Sequence, residues 1–179
     1  MPGPWRVRLI AKTMHDRYII LTGPTRTGKT TALRAWAESR TVAGFLSPDG
    51  PHGRQLMNVS TGELRAFEAE GDAEAAGCQI IGRFHLLQSA FDAGAAWIRE
   101  GLRLGAPWLL MDEVGPLELS GTGFDTLLRE TLDELKGRNT ISRLLIVVRT
   151  QALDAVVSRY GLQGARKISK DQLEQLNAS

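Results

Sequence analysis

Gly23-Pro24-Thr25-Arg26-Thr27-Gly28-Lys29-Thr30 is the stretch of this chain whose residue types and spacing do chemistry most directly. It fits G-x-x-x-x-G-K-[ST] at every fixed position. Glycines at both ends let the backbone curl, so that consecutive N–H groups converge on a phosphate at the positive end of a following helix. Lys29 is expected to bring a point charge to the β- and γ-phosphates of a nucleotide. The Thr30 hydroxyl is expected to ligate Mg²⁺, and Thr31 to reach toward the α-phosphate. The expected nucleotide-binding set is therefore Gly23, Pro24, Thr25, Arg26, Thr27, Gly28, Lys29, Thr30 and Thr31, with Arg26 either on phosphate or in solvent.

Such a loop calls for a later apolar strand ending in aspartate, which holds the metal directly or through water. Trp108-Leu109-Leu110-Met111-Asp112 meets that requirement, and Glu113 follows at once. Asp112 is assigned to Mg²⁺ and Glu113 to orienting or deprotonating an attacking water. The pair also suits a helix N-cap. Asp112-Glu113-Val114-Gly115 matches the D-x-x-G of regulatory GTPases, but no N-K-x-D occurs anywhere in the chain, which argues against a guanine-specific switch.

Arg149 closes the aliphatic run Leu144 to Val148 and is the third catalytic candidate beside Lys29 and Glu113. It lies where open α/β sheets bind ligands, within reach of a γ-phosphate, or else it is a surface arginine at a strand end. Arg54, on a glycine-rich turn, is placed to close over a nucleotide or to stay solvated. His15, His52 and His85 lack metal-ligand spacing, and Cys78 has no basic neighbour to activate it. The tryptophans read as packing residues, with Trp97 and Trp108 the two that could approach a base.

These residues must be positioned by elements, and the pattern supplies them. Tyr18 to Thr22 reads as a buried strand and Lys29 to Arg40 as a helix, with Leu33, Trp36 and Ala37 on its inner face. Arg6 to Lys12 alternates as a strand would. Thr41 to Arg65 is rich in turn formers around Ser47-Pro48-Asp49-Gly50 and reads as a β-hairpin or insertion with a mobile tip. Helices are expected over Gln88 to Leu104, Phe124 to Lys136 and Ala152 to Tyr160, with a short tail helix capped by Ser169 and Gln172. Strands are expected at Trp108 to Met111 and Leu144 to Val148. Alternating strands and helices give an α/β fold with a mainly parallel sheet.

The chain has 179 residues, 42% of them hydrophobic, which fits a single domain spanning 1–179 with a sizeable core. Lysine and arginine total 22 against 20 acidic residues, so a net charge of +2 gives no bulk-charge case for nucleic acid. No apolar run approaches the roughly 18–20 residues that span a bilayer. A lone cysteine and the lack of a secretory signal fit a reducing cytoplasm. Nothing in the sequence identifies a protein partner.

Taken together, the motifs resemble a known family: the small P-loop nucleoside-triphosphatases described from thermophilic microbes, with animal relatives called cancer-related nucleoside-triphosphatase. The resemblance spans roughly Tyr18 to Ser169. It rests on the phosphate loop, on Ala43-Gly44-Phe45-Leu46-Ser47-Pro48, on Thr61-Gly62-Glu63, and above all on Met111-Asp112-Glu113-Val114-Gly115-Pro116-Leu117-Glu118-Leu119. It implies a three-layer P-loop NTPase fold on a RecA-like or adenylate-kinase-like core, close to that of small-molecule kinases. It also implies slow, Mg²⁺-dependent hydrolysis of ATP, GTP and other nucleoside triphosphates to diphosphate and phosphate. By position it assigns phosphate and metal to Lys29 and Thr30, the second motif to Asp112 and Glu113, a further family acid to Glu118, and a strand-end arginine to Arg149. The segment before Tyr18 is longer than in compact members, and Gly50 to Arg54 departs from the usual charged pattern. Two alternatives stand beside hydrolysis: a kinase acting on a nucleoside or other small acceptor, and a non-enzymatic nucleotide-binding switch.

Overall fold

Strand β1 (Tyr18–Gly23) buries its first four side chains, as a run that is apolar on both faces must. In the computed structural model, which describes residues 17–69, 78–81, 84–137 and 141–176, β1 lies inside a parallel sheet. The chain continues through helix α1 (Lys29–Ala37) into β2 (Val42–Leu46), then β3 (Asp49–Gly50), β4 (Gly53–Asn58) and β5 (Leu64–Ala66). A separate two-stranded ribbon, β6 (Cys78–Ile81) and β7 (Phe84–Leu87), leads into the long helix α2 (Gln88–Leu104). After β8 (Trp108–Met111) come a one-turn helix α3 (Pro116–Leu119), helix α4 (Asp125–Gly137) and β9 (Arg143–Arg149). A 3₁₀ turn, helix α5 (Leu153–Tyr160), β10 (Arg166–Ile168) and a second 3₁₀ segment (Lys170–Gln175) complete the described chain.

The main sheet runs β10-β1-β9-β8-β2-β4-β3. The pairings from β10 through β2 are parallel, and those of β4 with β2, β3 and β5 are antiparallel. Successive strand residues point to opposite faces, and the core divides accordingly. Ile20, Phe45, Met111 and Ile146 pack with Phe91, Ile98, Leu128 and Val156 from α2, α4 and α5. Ile19, Leu46, Leu110 and Val147 pack with Leu33 and Trp36 of α1 and with Leu173 and Leu176 of the tail. Helices on both faces of a mainly parallel sheet give the three-layer α/β arrangement. Each such fully buried aliphatic or aromatic side chain contributes about 1.5–3 kcal/mol, so both layers are needed to hold the sheet.

Helix α2 can cross β2 closely because Gly101 faces Ala43. A Cβ there would lie 2.5 Å from the Ala43 Cβ, with the Leu109 side chain at 2.9 Å. The helix ends where Gly105 takes φ 68°, the left-handed conformation of a C-cap glycine.

Two expectations change in part. Val42–Leu46 is a hairpin arm, pairing antiparallel with β4 at Phe45↔Asn58 and Leu46↔Met57, but it is also a central strand, buried throughout and in parallel register with β8 from Val42↔Trp108 to Phe45↔Met111. The tip of that hairpin is the short β3–β4 pairing, Asp49↔Arg54 and Gly50↔Gly53. The helix expected to run to Arg40 stops at Ala37, where Arg40 turns back to donate to the Trp36 carbonyl at 2.7 Å. The strand expected over Arg6 to Lys12 and His15 lie outside the described residues. No helix among the described residues is long and apolar enough to cross a membrane.

Candidate active site

The loop from Gly23 to Thr30 leaves the carboxyl end of β1 and winds directly into α1. Gly28 adopts φ 79°, and Arg26, unusually for a residue with a Cβ, sits at φ 58°. Lys29 is only 7% exposed. Its Nζ donates to the Gly23 carbonyl at 2.9 Å and also to the Pro24 carbonyl, so the ammonium is folded into the ring of the loop. Burial lowers the Lys29 pKa from its usual value, while the Glu113 and Asp112 carboxylates oppose the shift and Arg149 adds to it. The loop is braced from outside as well, because Lys170 Nζ donates to the Thr27 carbonyl at 2.8 Å.

Asp112 follows β8 and is 1% exposed. Its Oδ2 accepts from the Thr30 hydroxyl at 2.7 Å and from the Ser47 N–H at 3.2 Å. Burial pushes the Asp112 carboxyl up to about 6, against the pull of those two donors, and nearby Glu113 adds to the rise. A buried carboxylate held by two neutral donors is poorly compensated. Beside it the buried Ser47 Oγ has no hydrogen-bond partner. Carboxylate and hydroxyl oxygens are the donors a hard divalent cation takes, and Mg²⁺ needs few of them from protein when phosphates supply the rest. Thr30 and Asp112 therefore fit Mg²⁺.

The peptide bond between Asp112 and Glu113 is cis. Glu113 turns back toward the sheet, and its Oε1 lies 2.6 Å from Arg149 Nε. The parallel register places Arg149 opposite Gly23, at the root of the phosphate loop. A single cleft of about 740 Å³ is lined by Lys29, Thr30, Asp112, Glu113, Arg149 and Arg54, together with Thr25 to Gly28 and Thr31. The catalytic and metal candidates of the sequence thus come together. Gly23 and Pro24 do not line the cleft themselves; they serve it through their carbonyls on Lys29.

Glu118 is elsewhere. Its carboxylate is 3% exposed and spans the turn after Glu113, with Oε2 accepting the Gly115 N–H at 2.8 Å and Oε1 the Phe124 N–H at 2.9 Å. Burial raises its pKa, and the two amides moderate the rise. Next to it Tyr160 donates to the Glu118 carbonyl at 3.1 Å and to Asp125 at 2.7 Å. This acid holds the loop that carries Glu113.

Trp108 is not available to a base: it is buried, edge-on to Trp36 with ring centroids 5.0 Å apart. Trp97 is half-buried against the α2 side of the core, with the Arg65 guanidinium 6.0 Å from its ring. His52, His85 and Cys78 do not line the cleft. Residues not singled out from the sequence do: Arg34 from α1, Ser47 after β2 and Glu68, whose Oε2 accepts the Arg54 N–H at 3.3 Å. Ser47 carried a signal, since it stands in the Ala43-to-Pro48 string, but only packing reveals its hydroxyl as buried and unpaired.

A family model described as NTPase matches residues 18–169. The chain belongs to this NTPase family. The match begins at the first residue of β1 and ends at the residue that caps the last 3₁₀ segment, so it takes in every element that builds the cleft. Among solved structures, the crystal structure of THEP1 from the hyperthermophile Aquifex aeolicus aligns with a TM-score of 0.66 and 19% identity, covering 89% of this chain and 96% of that one. That likeness is one of fold. No curated protein sequence matches the chain. At the level of its family the protein is a nucleoside-triphosphatase.

Proposed function

We propose that the protein hydrolyses Mg²⁺-bound nucleoside triphosphates to nucleoside diphosphate and phosphate, with little regard for the base. The observation that carries this reading is the position of Glu113: one residue beyond the buried Asp112, in the same cleft as Lys29, with Arg149 2.6 Å from its carboxylate. The loop amides and Lys29 would hold the β- and γ-phosphates. Mg²⁺, held by Thr30 and Asp112, would neutralise charge on the phosphate oxygens. Water attacks the γ-phosphorus, the bond to the bridging oxygen breaks toward the diphosphate, and the water's proton goes to the Glu113 carboxylate. An incoming γ-phosphate competes with Glu113 for the Arg149 guanidinium. Arg149 then gains a second anionic partner where charge builds up in a loose transition state.

Low base selectivity follows from where the binding groups are. The charged and hydroxyl groups named above address phosphate, which all nucleotides share. Phosphate release from ATP, GTP, CTP and UTP, each with and without Mg²⁺, tests the reading. The expected result is Mg²⁺-dependent turnover within about tenfold across the four, under about 1.4 kcal/mol of discrimination. A thousandfold preference for one nucleotide, or turnover indifferent to Mg²⁺, would overturn it.

A further inference from the structure

Glu113 and Arg149 also face a second cavity. It measures about 130 Å³, and Ser47, Arg54, Glu113 and Arg149 line both it and the phosphate cleft. The rest of its wall is largely apolar, formed chiefly by Phe67, Leu86, Phe91, Leu117 and Phe124. The three phenylalanines make a connected aromatic corner, with Phe67 edge-on to Phe91 at 5.0 Å and Phe91 tilted on Phe124 at 4.8 Å. Glu118 also lies in the wall, but each of its carboxylate oxygens already accepts a backbone N–H. Polarity in this cavity is therefore concentrated on the side it shares with the phosphates.

Water needs no apolar chamber on the reacting side of Glu113. An organic molecule that presents a hydroxyl there does. We propose that this cavity is a phosphoryl-acceptor site for a small apolar alcohol, no larger than one six-membered ring with a short hydroxyl-bearing arm. The size follows from the volume, since an apolar cavity of about 150 Å³ lined by Leu, Ile and Phe takes up benzene. The aromatic corner of Phe67, Phe91 and Phe124 favours a ring over a flexible chain. The inference rests on the reading of Lys29, Glu113 and Arg149 as phosphoryl-transfer groups and adds an acceptor to them. The alcohol oxygen bonds to the γ-phosphorus and its proton passes to the Glu113 carboxylate. The bond to the bridging oxygen breaks with its electron pair going to the nucleoside diphosphate. The products are a phosphate monoester and the diphosphate. With the chamber empty, water takes the same course and gives inorganic phosphate.

The test uses the full chain, Mg²⁺, γ-labelled ATP and benzyl alcohol as the probe. Labelled benzyl phosphate is expected to appear at the expense of inorganic phosphate and to saturate as benzyl alcohol is raised. Toluene fills the same space without a hydroxyl. It should suppress benzyl phosphate while leaving alcohol-free phosphate release unchanged, a check that needs no altered protein. Leu117→Trp, from a half-buried wall position, should lower benzyl phosphate formation at least about tenfold and keep alcohol-free phosphate release within about twofold. Inorganic phosphate as the sole labelled product at high benzyl alcohol overturns the proposal, as does benzyl phosphate that neither toluene nor Leu117→Trp diminishes. The two readings fail separately: no phosphate release without alcohol removes the hydrolase, whereas release without any transfer removes only the acceptor.

Discussion

Arg149 and Glu113 form an ion pair, Nε to Oε1 at 2.6 Å, and both line the phosphate cleft. The two groups proposed to act in phosphoryl transfer are thus held against each other in the folded protein. Replacing Arg149 by lysine keeps the charge and loses the planar fork that can touch a carboxylate and a phosphate at once. Arg149→Lys is expected to slow turnover clearly, within the span of about 10³–10⁵ known for removed arginine fingers, and to leave nucleotide affinity within a few-fold. Single-turnover hydrolysis and equilibrium ATP binding on the same preparation separate these outcomes. A collapse of affinity along with rate would make Arg149 a ground-state contact.

Glu113→Gln preserves shape and can still accept from Arg149, but it cannot take a proton. Hydrolysis should fall about 10²-fold or more while Mg²⁺-nucleotide binding persists. Because the two side chains are ion-paired, Glu113→Gln and Arg149→Lys combined should cost less than the product of the single losses. Strict additivity would show the ion pair to be incidental.

Lys29→Ala removes the ammonium from the ring formed with the Gly23 and Pro24 carbonyls. Alanine suits the first turn of a helix, and although each lost hydrogen bond from the charged ammonium is worth about 1.5–3 kcal/mol, folding should be weakened and not abolished. ATP affinity should drop at least about tenfold, or about 1.4 kcal/mol. Calorimetric titration with ATP at fixed Mg²⁺ measures it, and parental affinity would remove Lys29 from the phosphate site.

The Asp125 cluster gives a pH signature of stability. Burial alone would raise the Asp125 pKa, but hydrogen bonds from Tyr160, Arg129 and Arg159 outweigh it and the net shift is downward. A carboxylate with a depressed folded pKa stabilises the fold above its unfolded value, near 3.9. That stabilisation fades as pH falls through the folded value. Parent and Asp125→Asn should therefore differ most in urea midpoint at pH 6, with the gap shrinking as pH falls below about 4. A gap that stays constant to pH 3 would mean that the carboxylate's charge contributes nothing.

The phosphate loop, the Asp112–Glu113 pair, Arg149 and helix α2 were legible because each is a local pattern: fixed spacing, or a long run at a single helical period. Only half of the role of Val42–Leu46 shows in the sequence, the antiparallel pairing with β4. Its neighbours in sequence are turn formers, and only the register with β8 shows that its unbroken apolar run belongs in the parallel sheet. The ribbon of β6 and β7, strand β10 and the one-turn helix α3 carried too few residues to show a period. Glu118 stood in a recognisable string, yet its work is to accept two backbone N–H groups, and no spacing rule reports that. The buried, unpaired hydroxyl of Ser47 and the apolar chamber beside Glu113 arise from elements far apart in the chain, so they exist only once it has folded.

Strand β1 sits between β9 and β10, the two described strands that stand farthest along the chain from it. A ribosome delivers the phosphate loop early, at about 5–20 residues per second, long before either neighbour leaves the exit tunnel. In that interval Gly23 has no Arg149 opposite it and the Thr27 carbonyl has no Lys170. A chain that has reached only α1 therefore carries the phosphate-loop motif without the strands and side chains that flank it in the folded protein. A chain that stops before β9 is therefore expected to fail to bind triphosphate even though every residue of the loop is present.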